Sequence, residues 1–253
     1  MNKKFRSSVA ALLMCVGGAS LPANATMIDV TVQDFGSVGA AQSALATFTS
    51  SKRQSDTETF GSFAPNDTLA GGLDTAVGTF SNPEGAQNGR GGCIDTAGPD
   101  CADSLILDNA ASPFNGRFDT SVGADGQWLD SNDVTQILWD VTADYNGDGT
   151  ADPFSHLAVV LTDVGDVGGT LTLEFENGTT VSETITSQGN GAINLVTAQF
   201  SPTALSATLL FDVNRQNDGF GIDDATVAVP APAALALFGI GLAGFGALRR
   251  RRG

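Results

Sequence analysis

The sequence predicts an all-β protein, a single jelly-roll-like β-sandwich between a leader and a hydrophobic tail. Three observations carry this. Between residues 26 and 228 the chain is rich in Gly, Thr, Ser, Asp and Ala and poor in Lys and Glu, so good helix formers are scarce. Short apolar-alternating runs recur between clusters of turn residues. In Leu171-Thr172-Leu173-Glu174-Phe175 the alternation is strict, which places Leu171, Leu173 and Phe175 on one face.

In chain order the predicted strands are Ile28–Phe35, Asp133–Thr142, His156–Thr162, Thr170–Glu176, Thr179–Thr186, Ala192–Phe200, Ala204–Val213 and Ala225–Val229. Glu176-Asn177-Gly178-Thr179 supplies an Asn-Gly turn, the strongest short-range hairpin signal. On the returning strand Thr180, Ser182, Thr184 and Thr186 alternate with Val181 and Ile185. From about 49 to 116 the chain reads as a loop-rich insertion, punctuated by Ala64-Pro65-Asn66-Asp67, Gly71-Gly72 and Ser81-Asn82-Pro83-Glu84-Gly85. There is no internal repeat, and no linker long enough to force a second domain.

The two ends carry an address. Lys3, Lys4 and Arg6 precede an apolar stretch from Val9 to Val16, and Ala23 and Ala25 fit an A-x-A cleavage site. Residues 1–25 therefore read as a signal peptide, cut between Ala25 and Thr26. Cys15 follows Met14, which is too large for the residue before a lipidated cysteine. At the other end Val229-Pro230-Ala231-Pro232-Ala233 leads into an apolar run over 233–248 and then Arg249, Arg250, Arg251 and Arg252. Sixteen helical residues span about 24 Å, enough for a thin bilayer when arginines snorkel. The arginines stay cytoplasmic and the body lies outside.

The Pro-x-Pro motif, short hydrophobic helix and terminal arginine cluster over 229–253 resemble the PEP-CTERM class of bacterial sorting signals. Ala231 stands where the commonest form has glutamate, so the resemblance is nearer the VPxPA variants. It implies recognition by an exosortase, a membrane cysteine protease-transpeptidase, and removal of the tail near the Pro-x-Pro motif. The membrane is then a partner only before processing. The resemblance also implies association with exopolysaccharide and biofilm production.

Removing both ends sharpens the charge. Of 12 basic residues three lie in the leader and four in the tail, leaving Lys52, Arg53, Arg90, Arg117 and Arg215 against 28 acids, a formal charge of −23. Such a surface repels nucleic acid and anionic lipid and attracts divalent cations. Cys93 and Cys101, in Gly91-Gly92-Cys93-Ile94-Asp95-Thr96-Ala97-Gly98-Pro99-Asp100-Cys101, are expected to close a small disulfide outside the cell. By chain entropy it contributes roughly 2–3 kcal/mol less any strain.

The sharpest local motif is Asp144-Tyr145-Asn146-Gly147-Asp148-Gly149-Thr150-Ala151-Asp152. Asp144, Asn146, Asp148 and Asp152 stand at relative positions 1, 3, 5 and 9, with Gly149 at 6 and the Thr150 carbonyl at 7. A hard cation takes six to eight oxygens, and this order resembles the Ca²⁺ loops of EF-hands, dockerins and thrombospondin-type repeats. Ser155 replaces the bidentate acid at position 12, so a further ligand is sought at Asp163 or Asp166. The alternative is a polar turn. Before the tail, Phe220-Gly221-Ile222-Asp223-Asp224 looks like the end of the sandwich domain in many PEP-CTERM proteins. Phe220 and Ile222 are expected to point inward and one aspartate outward.

Catalysis finds little support. No G-x-S-x-G elbow, P-loop or dinucleotide fingerprint is present, and no carboxylate pair is marked by spacing. The one histidine, His156, sits on an apolar strand and reads as structural. Trp128, in Asp125-Gly126-Gln127-Trp128-Leu129-Asp130, is the better surface aromatic for a sugar, whereas Trp139 reads as core. The sequence thus describes a sorted, non-catalytic surface or matrix protein associated with exopolysaccharide and stabilised by Ca²⁺. A carbohydrate-binding module is the alternative, and a secreted hydrolase ranks below both.

Overall fold

The computed structural model describes residues 27–64, 72–83, 105–108, 116–121, 126–131, 134, 136–164, 168–186, 189–213 and 219–230. Ala25, Thr26, Cys93, Cys101, Asp166 and the tail from Ala231 to Arg252 lie outside them, so the expectations placed on those residues stay as sequence readings.

The chain opens with β1 (Met27–Phe35), α1 (Val38–Ser50) and β2 (Lys52–Glu58). Four short strands follow: β3 (Leu73–Thr75), β4 (Gly78–Ser81), β5 (Ile106–Asp108) and β6 (Trp128–Asp130). The long ones are β7 (Gln136–Val141), β8 (Phe154–Thr162), β9 (Gly169–Phe175), β10 (Thr180–Ile185), β11 (Ile193–Ala204), β12 (Ala207–Val213) and β13 (Gly221–Pro230). They form two antiparallel sheets. One has seven strands in the order β1-β11-β8-β13-β6-β5, with β2 also on β13; the other has six, β10-β9-β12-β7-β4-β3. From β7 onward the chain crosses repeatedly between sheets, which gives the sandwich its jelly-roll character.

The core lies between the sheets, where inward residues of both interdigitate. Leu157, Val159 and Leu161 of β8 meet Leu171, Leu173, Leu209 and Phe211 of the facing sheet. Phe80 stacks on Trp139 at 5.3 Å, and the Trp139 Nε1–H donates to the Val77 carbonyl at 3.0 Å. The Asn-Gly hairpin forms as its residues dictate. Gly178 takes φ 77°, its N–H donates to the Phe175 carbonyl at 2.8 Å, and β9 and β10 pair from Thr180 against Glu174.

All nine residues of β8 are buried, because both faces are covered. The second cover is α1, which lays Ala41 and Leu45 on Ala158, Val160, Ile193 and Leu195 of the outer face. Ser37 caps this helix, accepting from the Ala40 N–H at 3.4 Å. The sequence reading contained neither α1 nor β2. The segment from 49 to 116 is corrected as well. Its described residues hold β2, β3, β4 and β5, which extend both sheets, so those parts belong to the sandwich instead of being inserted into it.

The last strand is longer than the predicted Ala225–Val229, starting at Gly221 and ending at Pro230. Ala228, Val229 and Pro230 pair with Ser55, Gln54 and Lys52 of β2, with a bulge before Pro230. Ala228 also pairs with His156 of β8, so β13 has neighbours on both edges.

Candidate functional site

Three places collect polar chemistry: the acidic loop, a buried acidic layer on the outer face of the seven-stranded sheet, and the rim where β13 leaves the domain.

The loop from Asp144 to Asp152 joins β7 to β8. Gly147 and Gly149 take φ 69° and 80°, the left-handed turns that only glycine adopts without strain. Asp144 Oδ1 accepts from the Asp148 N–H at 3.1 Å and Oδ2 from the Gly149 N–H at 2.7 Å. Asn146 Oδ1 accepts from the Asp148 N–H at 2.9 Å, Asp148 Oδ1 from the Thr150 N–H at 2.8 Å, and Asp152 Oδ2 from the Tyr145 N–H at 2.9 Å. The side-chain oxygens at four of the five proposed positions therefore fold inward on the loop's own backbone. They are hard donors of the type calcium takes, yet among the described residues no three His, Cys, Asp or Glu side chains converge as a metal centre. A carboxyl from outside the loop feels its charge. On β2, burial first and then the charges of Asp144 and Asp152 push the Asp56 carboxyl above its ordinary value. Sequence reasoning missed Asp56, since only the pairing of β2 with β13 brings it here. Asp163, the ligand sought from sequence, is corrected: it lies at the far end of β8, fully buried, with Oδ1 accepting from the Gly191 N–H at 2.7 Å.

The second place explains Gly221-Ile222-Asp223-Asp224. Phe220 and Ile222 pack in the core as expected, but both aspartates are buried, 1% and 4% exposed. A bulge against β8 makes this possible, with Asp224 at φ 50°. The segment 116–121 covers them. Asp223 Oδ2 accepts from the Thr120 N–H at 2.6 Å and from its hydroxyl at 3.0 Å, while Asp224 Oδ2 lies 3.2 Å from that hydroxyl. Burial, then the Asp224 charge, raises the Asp223 carboxyl well above the ordinary range against the bonds it accepts. Beside them Arg117 and Asp130 form an ion pair at 3.2 Å, each 4% exposed. The layer fastens 116–121 and, through the bond from Gln42 Nε2 to the Thr120 carbonyl, α1 onto the sheet.

Trp128 belongs to this layer, which overturns the sugar-platform reading. It is wholly buried on β6, beside Gly221. A Cβ at Gly221 would strike Thr162 Oγ1 and come within 3.0 Å of Trp128 Cδ1, so glycine is what lets the indole close over the sheet. An aromatic with no free face cannot stack on a sugar.

At the tail rim, Lys52 lies 4.7 Å from the centre of the Phe48 ring. His156 is buried beside it, with Nδ1 2.9 Å from Ser155 Oγ. Burial, then the Lys52 charge, lowers its pKa to about 4 against a bond with Gln199. Its stabilising contribution is thus whole above about pH 6.5, the unfolded value, and is lost as pH falls towards 4. Because it is the only histidine, one ring-proton NMR resonance reports it. The expected midpoint is about 4; a midpoint near 6.5 contradicts the burial.

An open cleft of about 570 Å³ lies on the six-stranded sheet, lined by Asp140, Glu174, Glu176 and Thr208 among others.

A family model, the PEP-CTERM protein-sorting motif, matches residues 228–252. No curated protein matches the chain. Among solved structures, the chain is similar to a Bacillus subtilis glycoside hydrolase family 43 arabinoxylan arabinofuranohydrolase, at 14% identity and TM-score 0.31 over 50% of this chain and 24% of that one. It is also similar to a xylan-binding domain of family 22, at 13% identity and TM-score 0.26 over 50% and 82%. A third is the C-terminal family 22 carbohydrate-binding module of Clostridium thermocellum Xyn10B, at 12% and 0.27 over 51% and 82%. The chain spans about a quarter of the length of the first. These overlaps are too slight to carry functional weight.

The motif fixes the address. The protein is exported, held by its C-terminal segment before exosortase processing, and delivered to the cell surface. Among the described residues no helix is long and apolar enough to cross a membrane; the apolar run 233–248 lies outside them.

Proposed function

We propose that this chain, a β-sandwich carrying a PEP-CTERM sorting motif, is a non-catalytic component of the cell surface or extracellular matrix, associated with exopolysaccharide. The observation that carries the reading is the motif at 228–252 continuing the last strand of the folded body. An acidic, tail-sorted sandwich serves as a soluble building block once the tail is gone. Purified protein is expected to co-sediment with exopolysaccharide from the producing cells and to leave standard glycoside and ester substrates unchanged. Turnover of either substrate class contradicts the reading.

We also propose Ca²⁺ as a stabilising ion at Asp144, Asn146, Asp148, Thr150 and Asp152, with Asp56 as the added carboxylate. Support comes from the oxygen donors and from Asp56, whose carboxyl is raised by burial and then by the charges of Asp144 and Asp152. Calcium added to the protein is expected to release binding heat and raise the melting temperature. Asp144→Ala and Asp148→Ala should lose both effects. No heat from the parent protein reduces the loop to a turn.

The alternative, a carbohydrate-binding module, now rests on the cleft at Asp140, Glu174 and Glu176, where carboxylates and the Thr208 hydroxyl could accept and donate to sugar hydroxyls. Glycan-array binding that is lost in Glu174→Ala favours it over the matrix role.

A further inference from the structure

We propose that two copies of the mature body pair through their first strands, β1 antiparallel to β1 about a two-fold axis, with Thr31 facing the partner's Thr31. The seven-stranded sheets of the two copies then join into one. This goes beyond the matrix role, and it holds or fails whatever polysaccharide the body meets.

Among the described residues β1 is an edge strand, laddered to β11 on one side only. A free edge presents a row of unpaired N–H and C=O groups, a template for another strand, and proteins usually blunt it. The other edges here are blunted. β3 and β5 have three residues each. β2 carries Lys52, Arg53, Asp56 and Glu58. β10 sets Glu183 opposite the buried Leu171, an inward-turned charge. β1 has none of these devices. Its nine residues run in unbroken register against Ile193–Ser201, and they include no proline, lysine or arginine. With the leader cut after Ala25, only Thr26 precedes it, too little chain to cover the edge.

The strand also complements itself. With Thr31 at the axis, Met27 faces the partner's Phe35, Ile28 the partner's Asp34, Asp29 the partner's Gln33 and Val30 the partner's Val32. A two-fold makes each of these pairs twice. No two acids stand opposite each other, and opposed like charges are what destabilise a strand pair. A shift of one residue turns the apolar row to the wrong face, and in one direction sets Asp29 against the partner's Asp34. A shift of two gives up two of the nine pairings. Ile28, Val30 and Val32 pack on the main core yet stay half-buried at the sheet margin. Met27 is 61% exposed, more than any other large apolar side chain among the described residues. Pairing covers the first three and lays Met27 on the partner's Phe35.

Mature protein purified from the producing cells, in salt that screens its acidic surface, is expected to approach twice the monomer mass by light scattering as concentration rises. Thr31→Cys should cross-link to its own copy, since facing Cβ atoms stand about 5 Å apart. It should do so at least about tenfold faster than Asp29→Cys, which faces the partner's Gln33. Combining Asp29→Cys with Gln33→Cys should restore the fast cross-link. Thr31 is exposed, so Thr31→Lys should keep the circular dichroism of the parent. Its two facing ammonium groups should return the mass to that of one body. A single-body mass for the parent at every soluble concentration overturns the pairing. So does a dimer that survives Thr31→Lys, or a Thr31→Cys that cross-links no faster than Asp29→Cys. Co-sedimentation with exopolysaccharide reads the matrix role separately.

Discussion

Replacing Arg117 with methionine is expected to destabilise the protein by about 3–5 kcal/mol, since it strips a buried carboxylate of its cation. Arg117, on the segment that covers Asp223 and Asp224, meets Asp130 of β6 at 3.2 Å, with both side chains 4% exposed. An exposed pair would contribute less than about 1 kcal/mol, and its loss would go unnoticed. Here the layer already holds Asp223 and Asp224 against their own repulsion, so removing its cation is doubly unfavourable. Adding Asp130→Asn to the variant should recover a large part of the loss. Chemical denaturation of parent, single and double variants measures this. A loss under 1 kcal/mol, or no recovery in the double variant, would show that the pair is not closed off from water.

Trp139→Ala should cost a similar amount, about 3–5 kcal/mol, by a different route. It leaves a cavity at the centre of the six-stranded sheet, takes away the ring stacked on Phe80, and removes one of the two N–H donors to the Val77 carbonyl. The second donor, the Thr142 N–H at 3.2 Å, keeps that carbonyl from being orphaned. The defect is therefore mainly one of packing, and Trp139→Phe should restore more than half of the stability. Thermal melts decide it: a domain of this size loses roughly 2–4 °C per kcal/mol. A change of only a few degrees for Trp139→Ala would contradict the burial.

These two residues also show what could be read from the sequence. Trp139 was legible as core because Ile137, Leu138 and Val141 flank it in an alternating run. The hairpin at Asn177-Gly178 was legible for the same kind of reason, since its signal is local. Trp128 was misread. Its neighbours Gln127 and Asp130 are polar, but they are buried with it, Gln127 donating to the distant Gly61 carbonyl and Asp130 paired with Arg117. Strand β2, Lys-Arg-Gln-Ser-Asp-Thr-Glu, carries no apolar alternation because it is an edge strand held by its ladder to β13. Helix α1 was hidden by its small residues; it buries Ala41 and Leu45 on the sheet, with Val38, Ala44 and Phe48 half-buried beside them. One of Asp223 and Asp224 was expected to turn outward, and only the bulge and the cover reveal both as buried. The sorting motif, by contrast, was legible, because its order of Pro-x-Pro, apolar run and arginines is a one-dimensional signal.

Fractionation of the producing cells tests the central claim most directly: the sandwich is an exported body delivered to the surface through its tail. With the processing enzyme present, antibody to the body is expected to find it at the surface or in the medium, lacking Arg249 to Arg252. Without the enzyme, the same body should stay with the inner membrane and keep them. A full-length, membrane-held protein in both strains would contradict the account.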